Sequence, residues 1–229
     1  QATWDERMQP SSWHGATTVV MGNCGVGFAP CRPDDHDRLV RLMEGVEDIP
    51  FPVLSQGLPW NWESYPDYLD ALARRRFDMD IGSQLPHAAL RVYAMGDRGA
   101  NREPATPDDI AQMAAIAKAA VEAGALGFST SRTLNHRDSQ GRPTPTLTAE
   151  EDELVGIAMG LKAAGAGALQ FVSDFTDAEA EFALMRAMAR KSGRPLSFSL
   201  LQGHVAPDKW RLLLDRTAEA NAEGLTIRA

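Results

Sequence analysis

Cysteine and histidine are scarce in this chain of 229 residues, which holds two of the first and five of the second. Cys24 and Cys31 match no zinc-ribbon or thiol-redox spacing, and two cysteines exclude a disulfide scaffold. No H-x-H or H-E-x-x-H occurs, so the sequence holds no ready-made hydrolytic metal site, which takes three or four ligands. Nor does any strand-like run lead into G-x-G-x-x-G or G-x-x-x-x-G-K-[ST], which leaves nothing to support a dinucleotide or nucleotide site. Basic charge is short as well: 23 Lys and Arg against 31 Asp and Glu give a net charge of -8, the wrong balance for a phosphate backbone. The one basic run, Arg74-Arg75-Arg76, reads as the end of a helix complementing its dipole. No segment approaches the roughly 20 consecutive apolar residues that span a bilayer. The opening residues, Gln1 to Arg7, lack the basic-then-apolar layout of a signal peptide, so a reducing cytoplasm is the expected setting. The chain opens on Gln1 rather than Met and stops in what reads as mid-strand, Leu225 to Ala229, so it reads as a piece of something longer.

What is present is an ordinary core-forming composition, 44% hydrophobic and 24% charged, enough for one large α/β unit over residues 1–229. Strand-like and helix-like stretches alternate along it. Thr17 to Met21 is a β-branched apolar run that stops on the glycine-flanked turn Gly22-Asn23-Cys24-Gly25-Val26-Gly27. Leu90 to Gly96, Ala125 to Thr130, Ala168 to Val172, Pro195 to Leu200 and Leu225 to Arg228 read as five further strands. Between them, Ser64 with Asp67, Thr106 with Asp109, Thr148 with Glu151 and Thr176 with Glu179 have the spacing of capping boxes, and Pro107 suits a first helical position. Such alternation implies crossover connections and a mainly parallel sheet. With no nucleotide loop to favour an open doubly wound sheet, a partial (β/α)8 TIM barrel is the expected architecture.

In a barrel the chemistry gathers at the strand ends on one face. Here those ends carry Asn23-Cys24, Asp97-Arg98, Ser129 to Arg137, Ser173-Asp174 and Gln202 to His204. Cys24 sits where a thiol reaches a metal or substrate, or simply fills a gap at a strand end. Ser129, Arg132, His136 and Arg137 lie on a loop able to hold a carboxylate by charge-assisted hydrogen bonds, with Arg132 the first choice, although a solvated basic loop has the same composition. His87, after Pro86, suits packing or backbone bonding better than metal binding, and His14, His36 and His204 carry little weight. Trp60-Asn61-Trp62 with Tyr65 suits the anchoring of a long loop better than a substrate wall.

Met21-Gly22-Asn23-Cys24-Gly25-Val26-Gly27-Phe28-Ala29-Pro30 closely resembles the metal-cysteine motif of the D-aminoacylase branch of the amidohydrolase superfamily. Asp48-Ile49-Pro50, Gly57 to Ser64, Pro86 to Arg91 and Gly124 to Arg132 are similar to further landmarks of that family, in the same order. The resemblance implies a zinc-bearing (β/α)8 barrel that hydrolyses amide bonds of N-acyl-D-amino acids, with a first-strand H-x-H-x-D upstream of Gln1 and a catalytic aspartate beyond Ala229. It makes Cys24 a metal ligand. Two family histidines on the fifth and sixth strands correspond here to Val172 and Leu200 or their neighbours, so one zinc per full-length chain is expected and no catalytic residue is assigned within the chain. The implied substrate is a small carboxylate-bearing amide or cyclic amide. The rival expectation is a non-catalytic barrel that binds a small anion through the Arg132 to Arg137 loop, and self-association stays open.

Overall fold

A computed structural model describes all residues, Gln1–Ala229. The first strand, β1 (Thr18–Met21), pairs in parallel with β2 (Asp80–Ser83), Thr18 opposite Asp80 and Met21 opposite Ser83. One residue later, β3 (Leu85–Pro86) turns the same extended segment towards β4 (Gly127–Arg132), and β5 (Ala168–Ser173), β6 (Leu196–Phe198) and β7 (Ile227–Arg228) follow, all parallel and in sequence order. The amide of Leu126 donates to Ser83 O at 2.8 Å, which joins the two sheets.

Nine α-helices accompany these strands: α1 (His36–Glu47), α2 (Phe51–Gly57), α3 (Tyr65–Ala73), α4 (His87–Met95), α5 (Asp97–Ala100), α6 (Pro107–Glu122), α7 (Glu151–Ala164), α8 (Ala178–Ser192) and α9 (Lys209–Ala222). Both expected boxes at Ser64/Asp67 and Thr106/Asp109 form, each with the side chain and backbone bonds reciprocated and a proline in the first turn. The other two do not. Thr148 instead donates to Arg102 O at 3.3 Å while Glu150 occupies the cap of α7, and α8 is capped by Asp177, which accepts from the Ala180 amide at 3.0 Å. The Arg74 to Arg76 run lies just past the end of α3 rather than within its last turn.

The largest departure from expectation is Leu90 to Gly96, which is helix and not strand. Every residue from His87 to Val92 is buried, with Met95 beyond, so the helix is enclosed on nearly all sides, and the strand that fills its place in the sheet is the polar run Asp-Ile-Gly-Ser at 80–83. The main core lies between the strands and the helices α6 to α9, where Leu85, Phe128, Leu169, Phe171, Leu196 and Phe198 meet Met113, Leu154, Ile157, Leu161 and Met185. Trp62 is buried and donates Nε1–H to Phe28 O at 2.8 Å, and Trp60 stacks on His36 at 3.8 Å, so this pair anchors the long loop.

Candidate active site

The turn after β1 is shaped by glycine. Gly22 and Gly25 have φ of +88° and +71°, and a Cβ on Gly25 would come within 2.8 Å of Thr130 Cα on β4. Gly25 also caps a helix, since its carbonyl accepts from the Ala88 amide at 3.0 Å in the first turn of α4, where Pro86 brings no side-chain cap. The turn is therefore clamped onto β4 and α4, and it holds Cys24 half-buried in the wall of a cavity of about 350 Å³ lined largely by apolar side chains, among them Val19, Met21, Met43, Tyr65 and Tyr68. Burial raises the Cys24 thiol above its ordinary range, and the charge of Glu47 raises it further. A cation at the sulfur is what would hold it as thiolate. Cys31 is buried, its thiol pushed up to about 12 first by burial and then by Asp35 and Glu63, and it is a packing residue.

Strand β4 presents two different faces. Phe128, Thr130 and Arg132 point towards the helices: Phe128 packs edge-on against His87, Thr130 Oγ1 lies 2.8 Å from His87 Nδ1, and Arg132 Nε donates to both oxygens of Glu181 on α8 at 2.9 and 3.0 Å. Arg132 also bonds Ala149 O. Its guanidinium is thus committed to the fold, which corrects the expectation that it is free to take a substrate carboxylate. Ser129 and Ser131 point the other way. Ser131 Oγ bonds His136 Nδ1 at 2.7 Å, Ser129 Oγ is fully buried without a partner, and in register beside Ser129 stand Gln170 and Ser197, which bond each other. Burial lowers the pKa of His136, against the opposing charges of Glu47 and Asp174, so this imidazole is held towards its neutral form.

The remaining loop residues separate. Arg137 is exposed and donates only to Gly141 O at 2.9 Å, which leaves most of its fork to solvent. Asp174 at the end of β5 accepts from the Leu134 amide at 2.8 Å and from Thr133, pinning this loop. Asp97 and Arg98 are spent in ion pairs with Arg38 and Asp109, and His204 is exposed. Val172 shares the inward face with Ser131, and Leu200 follows the end of β6, so neither of these two side chains offers a donor. No group of three or more His, Cys, Asp or Glu side chains is arranged to hold a metal ion. Cys24 has the chemistry of one ligand, a soft donor at a strand end, and Glu47 lines the same cavity.

Sequence reasoning also missed a buried cluster behind β4. His87 Nε2 lies 2.9 Å from Glu153 Oε1, and the same oxygen accepts from Arg91 Nε at 2.8 Å. Arg91 goes on to bond Gly99 O and Pro145 O, each at 2.9 Å, and Glu103 O. Glu153 in the first turn of α7 has the sequence signature of a dipole-complementing surface acid, so only the fold reveals it.

The profile of the amidohydrolase family matches residues 1–229. The chain belongs to the amidohydrolase family. Among curated relatives of this amidohydrolase chain, it is 30% identical to D-aminoacylase of Alcaligenes xylosoxydans xylosoxydans over 158 residues, 69% of the chain and 28% of that enzyme. It is 32% identical to N-acyl-D-aspartate deacylase of the same organism over 157 residues, 68% of the chain and 26% of the relative. Among solved structures, a D-aminoacylase described as defining a novel subset of amidohydrolases superposes with a TM-score of 0.68 at 24% identity, covering 96% of this chain and 42% of that one. A D-aminoacylase structure concerned with a binuclear metal centre, with one-metal activation and second-metal attenuation, gives 0.67 over 93% and 40%. The amidohydrolase chain thus has the α/β fold of D-aminoacylase and spans less than a third of the length of these two curated relatives.

Proposed function

We propose that the protein carrying this chain is a metal-dependent amidohydrolase that cleaves the amide of a small carboxylate-bearing N-acyl-D-amino acid or a cyclic amide, with residues 1–229 forming part of a (β/α)8 barrel. The observation that carries this reading is Cys24, set at a strand end by a glycine turn clamped to β4 and α4, in a chain that belongs to the amidohydrolase family. Zinc, when bound, supplies polarisation of the amide carbonyl and an activated water. Within the chain, Cys24 contributes one thiolate ligand, the cavity beside it offers a largely apolar wall, and Arg137 with neutral His136 offers hydrogen bonds to a substrate carboxylate once Arg132 is committed to Glu181. Ser129 offers its unpartnered hydroxyl on the same face. Val172 and Leu200 at the late strand ends support one metal rather than two. Two free thiols fit a cytoplasmic setting.

The test is metal analysis and hydrolysis of N-acetyl-D-amino acids by the full-length protein and its Cys24→Ser variant. The reading expects about one metal per chain, lost together with turnover in the variant. Full metal retention by the variant, or turnover without metal, overturns it, and two tightly held metals overturn the one-metal assignment.

A further inference from the structure

We propose that His87, locked between Glu153 and Thr130, is a positioning residue for the Cys24 turn; this rests on the reading of Cys24 as a metal ligand. Arg91 already neutralises Glu153, and a second cation in a fully buried site carries a desolvation cost with no further anion to offset it, so His87 is neutral. Neutral His87 has one N–H. With an ionised carboxylate oxygen at 2.9 Å from Nε2, that N–H points to Glu153, and Nδ1 is left to accept the hydroxyl proton of Thr130 at 2.8 Å.

This fixed tautomer ties together the two surfaces on which the turn rests. Thr130 supplies the backbone against which Gly25 packs, and the residue next to His87 supplies the amide, Ala88 N–H, that holds Gly25 O at 3.0 Å. His87 bridges those supports from behind, while Glu153 is itself held by Arg91, whose bonds to Gly99, Glu103 and Pro145 brace the α4–α6 connection and the long loop after β4. Neither His87 nor Glu153 faces the cavity at Cys24, so their contribution acts through backbone placement of the sulfur. Outer supports of this kind typically set metal affinity by 10–100-fold.

The experiment compares full-length wild type with His87→Gln, Thr130→Val and Thr130→Ser. Cobalt is titrated into the metal-free proteins and the thiolate-to-cobalt charge-transfer band is followed, while hydrogen exchange of residues 22–28 and of the Ala88 amide is measured without metal. The inference expects His87→Gln and Thr130→Val to weaken cobalt binding about 10–100-fold and to speed exchange in the turn, with Thr130→Ser restoring both. Equal affinity and unchanged turn exchange in His87→Gln and Thr130→Val, whatever their melting temperatures, overturn it. A wild type that binds cobalt with no thiolate band would instead remove Cys24 as ligand, and the exchange data then decide the positioning role alone.

Discussion

The two faces of β4 carry similar residues to opposite ends. On the helix-facing side Thr130 and Arg132 have their polar groups answered by protein partners, His87, Glu181 and Ala149 O. On the inward side Ser131 finds His136, but Ser129 Oγ is buried and unanswered, and beyond it the register continues through polar Gln170 and Ser197. Barrel interiors are usually packed with bulky aliphatic side chains, so a polar inward layer marks a surface that something else completes. A closed hydrogen-bond account signals architecture, and an open one signals a place for a ligand. On this ground Arg132 moves from candidate ligand group to structural brace, while Ser129 and His136 remain candidates.

The sharpest way to break the contrast is to remove the centre of the closed side. Arg91→Ala leaves the Glu153 carboxylate buried without its guanidinium and strips three carbonyls of their donor, and it is expected to lower stability by about 3–5 kcal/mol. Urea denaturation of the full-length protein reads this directly. A loss under about 1 kcal/mol would mean that the cluster does not brace the fold.

A smaller effect tests the brace on α8. Arg132→Ala removes the partner of Glu181, which still accepts from Ser173 Oγ at 2.9 Å, so a loss of about 2 kcal/mol is expected, with KM for a carboxylate substrate changed less than about twofold. A tenfold rise in KM at unchanged stability would return Arg132 to the ligand-facing side.

The same cluster predicts how stability responds to acid. Burial depresses His87 below its ordinary value of about 6.5, so on acidification the unfolded chain takes up the proton first and the native state loses stability below about pH 6.5. Glu153 works in the same direction at lower pH. Its folded value is lowered by His87 and Arg91 against the cost of burial, so its contribution is present above its unfolded value of about 4.5 and lost as pH falls through the folded one. Stability is expected to fall between pH 6.5 and 5 by up to about 1.4 kcal/mol per pH unit, and His87→Gln is expected to flatten that slope. An unchanged slope in the variant would assign the acid sensitivity elsewhere.

Much of the closed side could not be read from sequence, for a physical reason. The strand runs at β5 and β6 are apolar on their helix-facing side, β4 is bounded by glycine and carries Phe128, and these are legible, as are the caps at Ser64 and Thr106, because local patterns determine them. Leu90 to Gly96 reads as a strand because the helix that holds it is buried at every position from His87 to Val92 and so shows no amphipathic period, and the Asp-Ile-Gly-Ser strand has almost no apolar signal. Arg91 and Glu153 are buried only because they meet across 62 residues, a pairing no local pattern encodes. The glycine turn at Cys24 was legible because its backbone demands leave a direct mark on residue type.

The smallest expected effect bears on the open side. Ser129→Ala deletes a hydroxyl that has lost water without gaining a protein partner, a state that costs about 1–3 kcal/mol, so the variant is expected to be as stable as wild type or slightly more so. Thr130→Val, one residue along and on the opposite face, removes a hydroxyl that does have a partner and strands His87 Nδ1, and should lose about 1–2 kcal/mol. Denaturation of the two variants side by side makes the contrast quantitative. If Ser129→Ala costs as much as Thr130→Val, the inward hydroxyl is satisfied by an ordered water and the two faces differ in packing alone. If it costs nothing while KM rises, the unanswered hydroxyl belongs to the substrate.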